Sequence, residues 1–554
     1  MLTGLLLLPL LLAQVPAQDS RLTDLPNTDT HFAMPVQKTR VAWEKRKVQL
    51  KRQILTAAGL DPMPARNPLH AQVFGKITTK DCTVEKVLIE TMPGYYLGGN
   101  LYRPLNDAGK HPAVLNPHGH WTYGRLENQP LYSGPSLGAN LARQGYVVFA
   151  WDMVGYNDTV QTPHAFGSPA ERLWSFGPVG LQLWNTIRAV DFISSLSDVD
   201  TGRLAMTGAS GGATQTILFA AVDDRVQYFA PVNMVSGIMQ GGDVCENAPG
   251  LRVGTNNVEI AAMIAPKPML LVAATGDWTR NTPREEYPAI RKIYDLYDKP
   301  ENVQTVMLDA PHNYNKENRE AVYRFFAQQI LHSPDAARIK EVSADIPRLQ
   351  DMLALFGRSL PAGASTYEQI FAQWKRRDLS DPKEALVRAM GTEWPEEVVA
   401  DSGALSRPNV KDRIPYKLTE GKGTPAVVVG GSVDDAPPGR PVLSIEVFNT
   451  RDHSGKHFDA FNRTDDQLRA QDVLTALAWM HKKYPGKIEL IGIGTAASVW
   501  VKFVAAVAPI AVMVRGDLSS FHGTDDDFLK YFNVPGIQLA GGLAAAERAT
   551  GTRP

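Results

Sequence analysis

Short apolar runs of strand length open the readable part of the chain, at Glu85 to Glu90, Tyr95 to Tyr102, Ala113 to Leu115 and Tyr146 to Trp151. From about residue 181 they alternate with helical periods. Leu181 to Leu196 reads as a helix, Arg203 to Thr207 as a strand, Ala213 to Val222 as an apolar helix, and Gln227 to Pro231, Pro268 to Ala273 and Val303 to Leu308 as strands. Residues 319 to 332 close the series as a helix. This alternation predicts an α/β fold with a mostly parallel sheet and helices on both faces. Upstream, residues 37 to 59 place basic and apolar positions at helical spacing and stop at Gly59, before Asp61-Pro62, so an amphipathic lead-in helix is expected there. Residues 335 to 415 are charged and helix-prone, broken by Pro361 and Pro382, and predict a helical connector without strands.

Beyond residue 424 the pattern repeats. The segment from Gly494 lies over that from Ala209 at a constant offset of 285 positions, through Ala220-Ala221-Val222 and Ala505-Ala506-Val507. Pro425-Ala426-Val427 echoes Pro112-Ala113-Val114, and Leu468 to Met480 echoes Leu181 to Ile193. The expected organisation is a leader over 1–17, a helical lead-in over 18–75, a catalytic α/β domain over 76–334, the connector over 335–415, and a truncated, degenerate copy over 416–554.

With 554 residues the chain is long enough for at least two cores. Lys plus Arg (57) nearly balance Asp plus Glu (58), which disfavours a nucleic acid or acidic membrane surface as partner and favours a neutral or small-molecule substrate. A Leu-rich run from Leu5 to Ala13, followed by Val15-Pro16-Ala17, reads as a signal peptide cleaved before Gln18, and predicts export to the periplasm or medium. Cys82 and Cys245 are too few for a disulfide framework, and the sequence leaves their pairing open.

The chemistry gathers around Gly208-Ala209-Ser210-Gly211-Gly212, a G-x-S-x-G pentapeptide between a predicted strand and a predicted helix, as a nucleophile elbow requires. A serine hydroxyl needs a base, an acid that orients the base, and donors for the oxyanion. Asp277 follows one strand in Thr275-Gly276-Asp277, and His312 follows the next in Pro311-His312-Asn313, giving the chain order Ser210, Asp277, His312. Asp309 is a rival acid placed too close to His312 in sequence to reach its far ring nitrogen. Pro117-His118-Gly119-His120-Trp121 follows the strand where the first oxyanion donor is expected, so the N–H groups of His120 and Gly211 are the candidate pair. His118 and His120 have no carboxylate or cysteine at ligand spacing beside them, and no metal or cofactor is expected.

HGHW, GASGG, TGD and the PHN histidine, in this order after an export signal, make residues of roughly 80 to 330 resemble the bacterial acetyl xylan esterase-like and dienelactone hydrolase-like branch of the α/β-hydrolases. The resemblance implies a cofactor-free carboxylic ester hydrolase working through an acyl-enzyme, with Ser210, Asp277 and His312 as the triad, often on acylated plant polysaccharide. Glucuronoyl esterases carry an arginine directly after the nucleophile. Gly211 stands there in this chain, which counts against a uronate ester. Substrate contacts are expected from Trp121, Tyr123, Trp174 and Glu246, with Trp151, Trp184, Asp152 and Asn247 as further pocket candidates. A serine peptidase or amidase of the same fold, or a non-catalytic glycan-binding protein, are the alternatives. In the second half Thr495 falls at the place of Ser210 and Ala497 at that of Gly212, so that half is expected to lack the chemistry, and Asp517 and His522 are expected to be structural.

Overall fold

A computed structural model describes residues 15–105 and 109–551. Most of the expected leader therefore lies outside the described residues. The chain divides into two compact units. The larger comprises Pro26–Asp378 with Lys456–Asn462, and the smaller comprises Leu379–Gly455 with the described parts of Met1–Leu25 and Arg463–Pro554.

In the larger unit the lead-in helix α1 (Arg40–Ala57) is capped by Thr39, whose hydroxyl accepts the Ala42 N–H, and buries Trp43, Leu50 and Ile54. Its polar face is used internally. The Arg46 guanidinium forks onto both oxygens of Glu259 at 2.9 and 2.8 Å, and Gln53 donates to the carbonyls of Gly250, Leu251 and Val253.

Nine strands follow in one sheet: β1 (Gln72–Thr78), β2 (Thr83–Met92), β3 (Tyr95–Arg103), β4 (His111–Pro117), β5 (Val147–Trp151), β6 (Val199–Ala209), β7 (Tyr228–Val232), β8 (Met269–Gly276) and β9 (Val303–Pro311). Their spatial order is β1-β2-β3-β5-β4-β6-β7-β8-β9. The first three pair antiparallel and β3 pairs antiparallel with β5, whereas every later pair is parallel. The crossover helices include α2 (Gly134–Arg143), α3 (Pro178–Ser195), α4 (Gly211–Val222) and α5 (Glu286–Asp295), and α6 (Lys316–Gln329) follows the last strand. Two apolar clusters contain opposite-facing residues of the same strands: Leu115 with Met206 and Phe229, and Val114 with Ala205 and Ala230. This two-sided burial explains why β4 to β7 read as continuous apolar runs.

The expected connector is not one body. Residues up to Asp378 belong to the larger unit, where α7 (Tyr367–Trp374) packs Phe371 and Trp374 on Phe176 at ring-centroid distances of 5.0 and 5.5 Å. Residues 379 onward belong to the smaller unit and contain three strands that the sequence pattern did not reveal: β10 (Val399–Asp401), β11 (Ala404–Ser406) and β12 (Ile414–Thr419). Strands of three residues are too short to display an alternation, and only their pairing identifies them.

These three join β13 (Ala426–Val429), β14 (Val442–Ile445), β15 (Ile488–Gly492) and β16 (Val512–Arg515) in the order β10-β11-β12-β14-β13-β15-β16. The first three pairings are antiparallel and the last three parallel. Position for position, this is the order and orientation of β1 to β7 in the larger unit. Helices α8 (Asp465–Lys483) and α9 (Thr495–Val507) stand where α3 and α4 stand. Within this unit Arg21 is buried between Asp19 and Asp472, its Nη1 lying 2.5 Å from Asp472 Oδ1.

Candidate active site

Strand β6 ends at Ala209 and α4 starts at Gly211, which leaves Ser210 alone in the turn at φ 58° and ψ −126°. A side chain rarely holds this conformation, and it turns the serine out from the end of the sheet. The neighbouring glycines are required by contact. A Cβ on Gly212 would stand 2.3 Å from the Pro117 carbonyl oxygen, and one on Gly208 2.5 Å from the same atom. At Gly211 a Cβ would meet Met153 Cε, the far end of a flexible side chain, at 2.7 Å and the His120 ring at 2.9 Å, so these side chains would have to shift to admit one.

Asp277 follows β8 and His312 follows β9, at the same edge of the parallel sheet. His312 Nδ1 lies 2.8 Å from Asp277 Oδ2. The other carboxylate oxygen accepts the Thr279 N–H at 2.7 Å and the Thr279 hydroxyl at 2.5 Å. Asp277 is thus buried and fixed, while His312 is about a quarter exposed. Asp309 is engaged elsewhere, accepting the Thr275 hydroxyl.

Beside the imidazole of His312 lie two indoles, Trp278 at a centroid distance of 4.3 Å and Trp121 at 6.3 Å. Trp121 also stacks on Tyr132 at 4.9 Å and stays half-buried. Trp278 is not among the expected contacts; its position next to Asp277 was the available signal. A Cβ built on Gly119 would stand 3.0 Å from Ser210 Cβ and 3.4 Å from Trp121 Nε1, so the loop that carries Trp121 runs close against Ser210.

The two histidines of the loop after β4 have different environments. His118 is fully buried; its Nδ1 faces the Gly119 carbonyl at 2.6 Å and its Nε2 accepts the Met153 N–H at 2.9 Å. Burial pushes its pKa down to about 3, so it is neutral and both ring nitrogens are used. His120 instead turns its Nε2 to the thiol of Cys245 at 3.1 Å, with Asp243 Oδ2 at 3.9 Å. His164 lies beside it, with Nε2 3.5 Å from Asp243 Oδ1 and Nδ1 2.7 Å from the Val154 carbonyl. A carboxylate and a thiol thus do stand beside His120, brought from loops more than a hundred positions away, beyond what local spacing can report. The cysteines are separate buried thiols, Cys82 lying in the apolar cluster with Val84 and Tyr102.

Several other expected contacts are corrected. Glu246 is buried; it accepts the Thr214 hydroxyl at 2.8 Å and the N–H groups of Gly242 and Asp243, bracing its own loop against α4. Asn247 braces the same loop. Asp152 is buried with Asp158 around the Arg125 guanidinium, and burial raises its pKa to about 6. Trp174 is capped by the Lys375 ammonium 4.9 Å from its ring, and its carbonyl accepts the Trp374 indole N–H. Trp151 and Trp184 are core residues. Tyr123 remains on the surface, 52% exposed, in the loop that carries Trp121.

No family model matches the chain. A Bacillus subtilis (strain 168) protein named "Putative hydrolase YtaP" is 27% identical over 256 residues, covering 42% of this chain and 82% of the relative. The solved structure of "Methylesterase BT1017" aligns with a TM-score of 0.52 and 28% identity, over 61% of this chain and 75% of that one. The chain has the α/β-hydrolase fold. In this fold the C-terminal edge of the parallel strands carries the reacting groups, the edge that holds Ser210, Asp277 and His312 here. The smaller unit has no counterpart of the strands that precede Asp277 and His312: among its described residues nothing stands where β8 and β9 stand beyond β7.

Proposed function

We propose that the larger unit is a serine carboxylic ester hydrolase acting through an acyl-enzyme. The observation that carries this reading is the 2.8 Å His312 to Asp277 contact at the strand edge that also ends in the strained Ser210 turn. Asp277 holds Nδ1–H of His312, leaving Nε2 as the base that takes the Ser210 proton and returns it to the leaving alcohol. The Gly211 N–H, at the first turn of α4 where no intrahelical acceptor is available, receives the oxyanion together with the His120 N–H. Water admitted after the alcohol leaves then hydrolyses the acyl-enzyme by the same proton relay in reverse.

The substrate reading is a small ester on carbohydrate, with acetyl as the first acyl group to try, and the site of action outside the cytoplasm. The likeness to a methylesterase favours a second reading in which methanol is the leaving group. The smaller unit is read as a copy of the first seven strands that carries no reaction, and its matching strand order supports that reading. Hydrolysis of p-nitrophenyl acetate, acetylated xylan and methyl-esterified polyuronate by the protein and by Ser210→Ala tests the proposal. Turnover of either ester class that Ser210→Ala abolishes supports it and selects the acyl side. Turnover that survives Ser210→Ala, or none on any ester with the protein folded, sinks it.

A further inference from the structure

The cluster behind His120 serves no step of the proposed reaction, yet its composition is specific. Four potential ligands, His120, His164, Asp243 and Cys245, bring one donor atom each to a common point, all within 4.8 Å of one another. They come from three loops at the reacting edge of the sheet, after β4, β5 and β7. A tetrahedral zinc ion with bonds of about 2.0–2.3 Å holds its ligand atoms roughly 3.3–3.8 Å apart. The measured separations of 3.1, 3.5 and 3.9 Å already lie near that range.

Two further features point to a cation. His164 faces the Val154 carbonyl through Nδ1, so this nitrogen carries the proton and Nε2 presents a lone pair. That is the support metal-bound histidines receive from their surroundings. Nε2 is itself buried and faces Asp243 Oδ1 at 3.5 Å, longer than an ordinary hydrogen bond. Cys245 is buried, with its Sγ 3.1 Å from His120 Nε2.

We propose that His120, His164, Asp243 and Cys245 form a zinc-binding clasp that ties the three loops together behind the oxyanion side of the active site. Two imidazoles, one thiolate and one carboxylate complete a four-coordinate shell, the arrangement of a structural rather than a catalytic site, and the thiolate selects zinc over magnesium or calcium. On binding, the Cys245 S–H bond breaks, the zinc–sulfur bond forms, and the proton leaves to solvent with no change of oxidation state. The ion sits on the Nε2 side of His120, while the other edge of the same ring packs against Gly211. The clasp therefore acts as a positioning device for the residue whose N–H is assigned to the oxyanion.

The test uses the full-length protein and reads metal directly, so it stands whether or not the chain hydrolyses esters. The protein is stripped with a chelator, titrated with zinc chloride alone, and its zinc content measured after gel filtration, beside Cys245→Ser, His164→Gln and the double variant. Circular dichroism and thermal melts check that each is folded. One equivalent of zinc in the wild type, lost in the double variant together with the zinc-induced rise in Tm, supports the clasp. Cobalt(II) provides a second readout, a thiolate charge-transfer band that Cys245→Ser removes. If the variants do not fold, this band in the wild type, quenched when iodoacetamide alkylates Cys245, decides instead. Failure of the stripped wild type to take up zinc, or equal uptake by the folded double variant, overturns it.

Discussion

The two strand-to-helix turns of this chain, one in each unit, share a position in the sheet and differ in what they present. In the larger unit the turn residue is Ser210 at φ 58°. In the smaller unit it is Gly494 at φ 80°, the residue before α9. The sequence offset of 285 had set Thr495 against Ser210, but Thr495 is already the first helical residue, and α9 is one residue longer than α4. The counterpart of Ser210 therefore has no side chain. Close approach of loop and helix is kept by moving the glycine. In the larger unit the helix supplies Gly212 against Pro117, whereas in the smaller unit the loop supplies Gly430, whose Cβ would stand 2.9 Å from that of Ala497. The lesson is that the left-handed turn belongs to the architecture, and the serine is an addition to it that carries a strain cost.

The comparison breaks most sharply if Ser210→Ala keeps activity. Its kcat is expected to fall by about a million-fold, as removal of a triad nucleophile does, while Thr495→Ala leaves it unchanged. Both are read from ester turnover of the folded variants. Asp277→Asn is next, with a loss in kcat of about ten-thousand-fold from the wrong histidine tautomer, whereas Asp517→Asn in the smaller unit has no effect. In the structure Asp517 accepts the Ser519 N–H, and the His522 backbone N–H donates to Asp527.

The next effect is on stability. The pKa of His118 is lowered by burial, to about 3 from an ordinary 6.5. A group lowered in the folded state contributes stability above its unfolded pKa and loses it as pH falls toward the folded value. Urea unfolding is expected to give about 3 kcal/mol less stability at pH 4 than at pH 7 from this residue, and His118→Gln flattens that slope. Asp472→Asn tests the smaller unit alone. It removes a buried partner of Arg21 and is expected to cost about 3 kcal/mol in that unit's unfolding with kcat unaltered. The smallest expected effect is Gly494→Ala, which forces a side chain into the left-handed turn for about 1 kcal/mol.

Local pattern was enough for the long elements. β2 to β9, α1, α3 and α4 lie where apolar runs and helical periods predicted them, and β4 to β7 are the clearest because a strand buried on both faces writes itself as a continuous apolar segment. The order Ser210, Asp277, His312 was equally legible, since each residue directly follows its own strand. Packing decided what side chains do once the loops close. Trp121 stacks on Tyr132, Trp174 takes the Lys375 ammonium over its ring, and Glu246 and Asp152 turn inward to Thr214 and Arg125, partners that are not next to them in sequence. Strands β10 and β11 were illegible because three residues carry no period, and β12 because its mostly half-buried and exposed positions give no apolar run.

The sequence by itself determined the parallel sheet and the residues that follow its strands at one edge, since periodicity and turn chemistry are properties of neighbours along the chain. Only the tertiary structure decided which histidine is neutral and buried and which meets a thiol and a carboxylate. Those outcomes depend on loops meeting across the sheet edge, where distance in space is unrelated to distance in sequence.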